Sequence, residues 1–143
     1  MATDVRRSPT GHPLLLRTLQ LVTAAALAVS AAIHADLAPG YDAVGAHITQ
    51  GTLFRLEAAV AALAALLVLA AGHRRSVWVF AALVSASTLG ALLLYRYVDV
   101  GTIGPLPNMY EPAWFTEKTT TAIAEAVGTV TATAGFLTAR RPH

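Results

Sequence analysis

Apolar residues run along the chain in four long blocks separated by short polar stretches. A helix needs roughly 20 mostly apolar residues to cross about 30 Å of hydrocarbon. Residues 15–35, 52–71, 76–95 and 119–139 meet that length. The pattern predicts an all-α protein, a four-transmembrane-helix bundle made of two helical hairpins. The third block carries no formal charge, whereas the fourth is rich in Thr and contains Glu125. Thr is compatible with a span, because its hydroxyl can bond back to a helix carbonyl or across to a neighbouring helix. Residues 1–13 read as a flexible cytoplasmic tail, and 14–141 as a single membrane domain.

Sidedness follows from the basic residues. Arg6, Arg7, Arg17, Arg74, Arg75, Arg140 and Arg141 fall on one side of the four spans; Arg55, Arg96 and Lys118 fall on the other. Of the acidic residues, Asp4 alone lies on the Arg-rich side. The positive-inside rule then places both termini and the 72–75 turn in the cytoplasm, with loops 36–51 and 96–118 outside. The small residues Ala28-Val29-Ser30 would suit a cleaved signal, but the first apolar run is long for one, and the expectation is a multi-pass protein of the cytoplasmic membrane. The two hairpins also share a layout, each second helix carrying a Glu followed by small residues ("LEAAVAA" and "AEAVGTV"), which fits a parallel duplication.

Composition agrees with lipid as the solvent. The chain is 55% hydrophobic and 13% charged, with a mean hydropathy of +0.57; soluble domains carry about 25% charged residues. A sequence pI near 9.4 accompanies a net charge of only +2, and the basic residues cluster beside apolar runs, so no nucleic-acid partner is expected. The absence of Cys excludes disulfides, thiol redox relays, iron–sulfur clusters and covalent haem attachment.

The ionisable residues inside the spans gather at one depth. His34, Arg55, Glu57, Arg96 and Glu125 all fall near the outer boundary, where a charge costs less than the roughly 2.5–3.5 kcal/mol of the helix centre. Two cations and two anions there can neutralise one another, and these five residues form the candidate polar site. Arg55 and Glu57 are two residues apart and cannot face each other; Glu57 is expected to point into the bundle and Arg55 toward the loops. The loop "RYVDVGTIGPLPNMYEPAWFTEK" is too rich in Pro and Gly for a regular helix. Its Tyr110, Glu111, Trp114 and Glu117 are the candidate lid over the cluster. In the other loop His34, Asp36, Asp42 and His47 are of metal-ligating type, but their spacing fits no tight motif and no Glu-x-x-His occurs, so no metal or other cofactor is expected.

No Gly-rich phosphate loop, nucleophile elbow or catalytic triad is present, so the reading leans away from an enzyme. The leading expectation is a non-catalytic accessory subunit or outer-face binder, its partners the lipid bilayer and another membrane protein subunit. The alternatives are a carrier or oxidoreductase-associated protein using Glu57 and Glu125 for a proton, a quinone or a small solute, and an extracytoplasmic metal binder.

Two stretches, "YRYVDVGTIGPLPNMYEPAWFTEKT" and the pair "IHADLAPGY" and "GTLFRLEA", resemble segments of uncharacterised small four-transmembrane-helix proteins of high-GC Gram-positive (actinobacterial) bacteria. The resemblance covers most of residues 30–127. It implies the four-helix membrane bundle and carries over no site residues.

Overall fold

The computed structural model describes residues 12–139. The N-terminal tail up to residue 11, with Arg6 and Arg7, and the C-terminal pair Arg140 and Arg141 lie outside the described residues. Four helices follow in order: α1 His12–Leu37, α2 Gln50–Ala71, α3 Arg75–Tyr97 and α4 Thr116–Thr138. A short 3-10 turn, Ala38–Tyr41, continues directly from α1. Among the described residues there is no strand, only an isolated bridge between Ile103 and Leu106. α1 begins three residues before the expected span, with Pro13 in the first turn, where its missing N–H costs nothing. α4 likewise begins three residues early, at Thr116.

α1 packs between α2 and α4, and α3 packs along α4. The α2–α3 side is less extensively packed, and α1 and α3 barely meet across the diagonal. The result is a four-helix bundle with a long-loop end (residues 38–49 and 98–115) and a tight-turn end (residues 72–74).

What is inside and outside inverts the pattern of a water-soluble bundle. Buried positions are mostly small: Ala24, Ala31, Ala61, Ala64, Ala81 and Ala132. Large aliphatic side chains point outward, including Leu56, Leu63 and Leu66 on α2, Leu83 on α3, and Val130 and Leu137 on α4. Membrane bundles pack this way, because lipid accepts Leu as readily as a core does and small residues let helices approach. Three helices are long and apolar enough to cross a membrane: the first, from Pro13, together with α2 and α3. α4 is not. Its Thr residues are the reason, and five of them are satisfied within the helix: Thr120, Thr129, Thr131, Thr133 and Thr138 each bond the carbonyl four residues back. Thr23 also donates to Thr131 across the α1–α4 contact at 2.7 Å.

The tight-turn end is dense. Trp78 is fully buried, donates its indole N–H to Gly72 O at 2.7 Å, and lies so close to Gly135 that a Cβ there would overlap its ring. Gln20 closes the same end by donating to Val68 O at 2.9 Å. Arg75 donates to Phe136 O at 3.1 Å and stacks over the Phe136 ring. The packing loosens toward the long-loop end: α3 has no buried residue after Ser85, and α2 has none between Gly51 and Ala61.

Candidate functional site

A cavity of about 280 Å³ occupies the long-loop end, where the buried faces of α2 and α3 run out. All four helices line it. α1 and its 3-10 turn contribute His34 and Tyr41, and α2 contributes Gln50, Phe54 and Glu57. α3 supplies Thr88 and Tyr95; the long loop and α4 supply Met109, Glu111, Phe115, Lys118 and Thr121.

His34 and Glu57 are set at the wall by helical spacing and by hydroxyl partners. The His34 ring is buried; its Nδ1 lies 2.9 Å from Ser30 O and it meets Phe54 edge-on at 5.2 Å. A carbonyl only accepts, so Nδ1 carries the proton, and Nε2 is the acceptor when the ring is neutral. Tyr41 packs on the other side of Phe54, 5.0 Å between centroids. Glu57 crosses the loosely packed α2–α3 side: its Oε1 lies 2.8 Å from Thr88 Oγ1, whose single proton also has Val84 O within 2.6 Å.

Behind this wall lies Glu125, only 2% exposed. Ser30 Oγ donates to its Oε1 at 3.2 Å, and Oε2 has no hydrogen-bond partner among the described residues. Ser30 Oγ also lies 3.4 Å from His34 Nδ1, so one hydroxyl connects the cavity's histidine to the buried carboxyl. One turn above Glu125 on α4, Thr121 Oγ1 is a second buried polar atom without a partner among the described residues.

The expected neutralisation of Glu57 and Glu125 by Arg55 and Arg96 does not occur. Arg55 turns to the loop and forms a two-pronged bridge with Asp42, 2.6 and 2.8 Å, the one salt bridge among the described residues. That hydrogen bond holds the exposed Asp42 carboxyl below the usual carboxylate range. Asp42 is in reach because the 3-10 turn folds back on the start of α2, where Gly51 leaves room for it. Arg96 lies over the Tyr97 and Trp114 rings, 4.8 and 5.4 Å from their centroids, and its Nε is buried without a partner among the described residues. Hydroxyls, not guanidiniums, therefore neighbour Glu57 and Glu125.

No family model, no curated protein and no solved structure matches the chain. The site must be read from its own geometry.

Of the candidate lid, Glu111 lines the cavity, and its backbone N–H donates to Tyr95 O at 3.0 Å, pinning the loop to the end of α3. Trp114 and Tyr110 remain partly exposed beside it, and Glu117 sits exposed in the first turn of α4. Lys118 ties the loop down by donating to Glu111 O and Ala113 O at 2.6 and 2.9 Å. Asp99 and Asn108 brace the distal part, Asn108 donating to Asp99 Oδ1 at 3.0 Å. Sequence reasoning missed Met109, Phe115 and Lys118 as wall residues, along with the donors Ser30 and Thr88. The available signal was helical spacing: Ser30 precedes His34 by one turn. Among the described residues, no three of His, Asp and Glu converge on a common point within reach of one ion. His47 lines a separate surface hollow between the two loops.

Proposed function

We propose that the chain is a multi-pass protein of the cytoplasmic membrane, with the long-loop end outside, that binds a small solute with an apolar body in the cavity walled by His34 and Glu57. α4 completes the membrane domain as a fourth span. Its outward Ile123, Val130 and Leu137 support that role, since they give lipid an apolar face despite the Thr content. The Arg-rich turn at Arg74 and Arg75 supports the orientation.

The observation that carries the reading is the open cavity beside uncompensated carboxyls. A purely structural cluster would pair its carboxylates with guanidiniums and close the bundle around them, because burying a charge without a partner is costly. Here the arginines turn away and a cavity remains, mostly apolar, with a few convergent polar groups. Its volume is just below the roughly 300–1,000 Å³ common for small-ligand sites. Glu57 faces the solute, while the His34–Ser30–Glu125 connection gives a route by which a proton can reach a buried carboxyl. This favours solute handling over a role confined to packing.

The chain contains no cysteine, so single cysteines test the reading directly. Met109→Cys should react with a membrane-impermeant maleimide in intact cells, whereas Arg74→Cys should react only after permeabilisation. A set of single-ring aromatic solutes, applied to the purified protein in detergent, should contain members that slow Met109→Cys labelling. Equal labelling of both cysteines in intact cells refutes the orientation, and unchanged Met109→Cys rates with every solute refute the binding site.

A further inference from the structure

We propose that the solute taken by this cavity is an organic cation, a protonated amine on an aromatic or short alkyl body. The inference rests on the solute-binding reading above and names the chemistry of the same site. Two carboxylates, Glu57 and Glu111, stand on the wall against one cation, Lys118. Lys118 has already committed two N–H groups to Glu111 O and Ala113 O and lies over the Phe115 ring at 5.1 Å. Glu57 has a hydroxyl partner on Oε1 and none on Oε2, and it forms no salt bridge among the described residues. His34 adds the Nε2 acceptor. Glu125 lies behind Ser30 and adds either no charge or a further negative one. Arg55 and Arg96, the other basic groups at this end, are turned to Asp42 and to Tyr97 and Trp114. With Glu57 and Glu111 ionised and the His34 ring neutral, the balance at the wall is acidic whichever state Glu125 holds.

The rest of the wall suits the same ligand. Tyr41, Phe54, Tyr95 and Phe115 present aromatic faces or edges, and a cation held over a ring and out of water is attracted by the ring quadrupole. This end of the bundle already holds its own cations that way, in Lys118 on Phe115 and Arg96 on Tyr97 and Trp114. An anion would meet Glu57 and Glu111. A neutral ring alcohol would fill the apolar volume but leave Glu57 without a counter-charge. Only a cation satisfies both the rings and the carboxylate.

Three probes on one phenylethyl body separate these cases: 2-phenylethylammonium, 2-phenylethanol and 3-phenylpropanoate, titrated calorimetrically into the protein in lipid nanodiscs. The ammonium should bind at least tenfold more tightly than the alcohol, about 1.4 kcal/mol, and the carboxylate should not bind. In Glu57→Gln the ammonium should lose tenfold or more while the alcohol keeps its affinity, which also shows that the variant is folded. Glu57→Asp should retain the preference for ammonium. Alcohol or carboxylate binding as well as or better than ammonium in the parent protein overturns the cation assignment and leaves the cavity reading standing. If none of the three binds, both fall.

Discussion

Ser30→Ala removes the one hydrogen-bond donor that Glu125 has among the described residues. Both residues are 2% exposed, the contact is 3.2 Å, and the second carboxyl oxygen is already without a partner among the described residues. Leaving a buried acceptor unmade costs about 1–3 kcal/mol, toward the top of that range when the acceptor is charged. Ser30→Ala is therefore expected to cost about 1–3 kcal/mol. The control is the same substitution in a Glu125→Leu background. There the hydroxyl has no acceptor to serve and can only bond back along its own helix, so its removal should cost less than about 0.5 kcal/mol. The coupling between the two sites, the difference of the two costs, should be about 1–2 kcal/mol, the range expected for residues in one network. The assay is reversible unfolding of the four proteins in mixed micelles titrated with a denaturing detergent, followed by circular dichroism. Equal costs of Ser30→Ala in both backgrounds would show that the Ser30–Glu125 contact does not act as drawn, and the link between cavity and buried carboxyl would go with it.

Other consequences are as concrete. Gly135→Ala should destabilise by about 1–3 kcal/mol, because the added methyl overlaps the buried Trp78 ring, which cannot swing aside. Gly90→Ala, with nothing within 4 Å of the new Cβ, should instead stabilise by about 0.5–1 kcal/mol in the same melt. Leu63→Arg, on the outward face of α2 and 50% exposed, should cost about 2.5–3.5 kcal/mol of membrane insertion and reduce the membrane-fraction yield; an unchanged yield would argue that this face meets water. The Asp42–Arg55 bridge carries a pH signature. Arg55 depresses the Asp42 carboxyl, so the bridge's contribution is complete above the ordinary carboxylate value, about 4, and is lost as pH falls through the depressed one. Amide exchange in residues 42–50 should be insensitive to the bridge between pH 7 and 5 and should quicken relative to intrinsic rates below about 4; Arg55→Ala should remove that step.

Much of the architecture was legible because lipid imposes it. A run of about 20 apolar residues has few uses outside a bilayer, and three of the four blocks satisfy the length and hydropathy of a span. Helix ends shifted by only a few residues, as at His12, where Pro13 sits in the first turn, and at Thr116, where polar residues continue the helix beyond the apolar run. That His34, Glu57 and the charged residues near them gather toward one end of the bundle was also legible from their positions along the helices. What pairs with what was not. Arg55 finds Asp42 thirteen residues earlier, through a 3-10 turn that hydropathy does not register. Arg96 ends α3 and is captured by rings on either side of a loop whose path depends on Gly101 and Gly104 at positive φ. Charge balance over five residues suggested mutual neutralisation, but balance is a property of composition and pairing is a property of direction.

The two ends of the bundle show why the cavity lies where it does. At the tight-turn end, Gly72 and Gly135 allow backbone and ring to approach so closely that one Trp fills the interior. Toward the middle, Ala61, Ala64, Ala81 and Ala132 are small enough for the helices to touch without residual space. At the long-loop end the inward positions change to His34, Phe54, Glu57 and Tyr95, whose length holds α2 and α3 apart while their polar ends seek partners. A rigid ring or a carboxyl cannot interdigitate as Ala does, and the loop that covers them is tied at Tyr95, Glu111 and Lys118 instead of packing into the gap. Replacing Glu57 by Ala would shorten the one side chain that reaches Thr88 across this gap and free the Thr88 hydroxyl, which already bonds Val84 O at 2.6 Å. The α2–α3 side should then close inward with little loss of stability, and slowed maleimide labelling of Met109→Cys without any solute would reveal it. Closure on removal of Glu57 would mean that the carboxyl keeps the cavity open, a role that packing alone gives no reason to maintain.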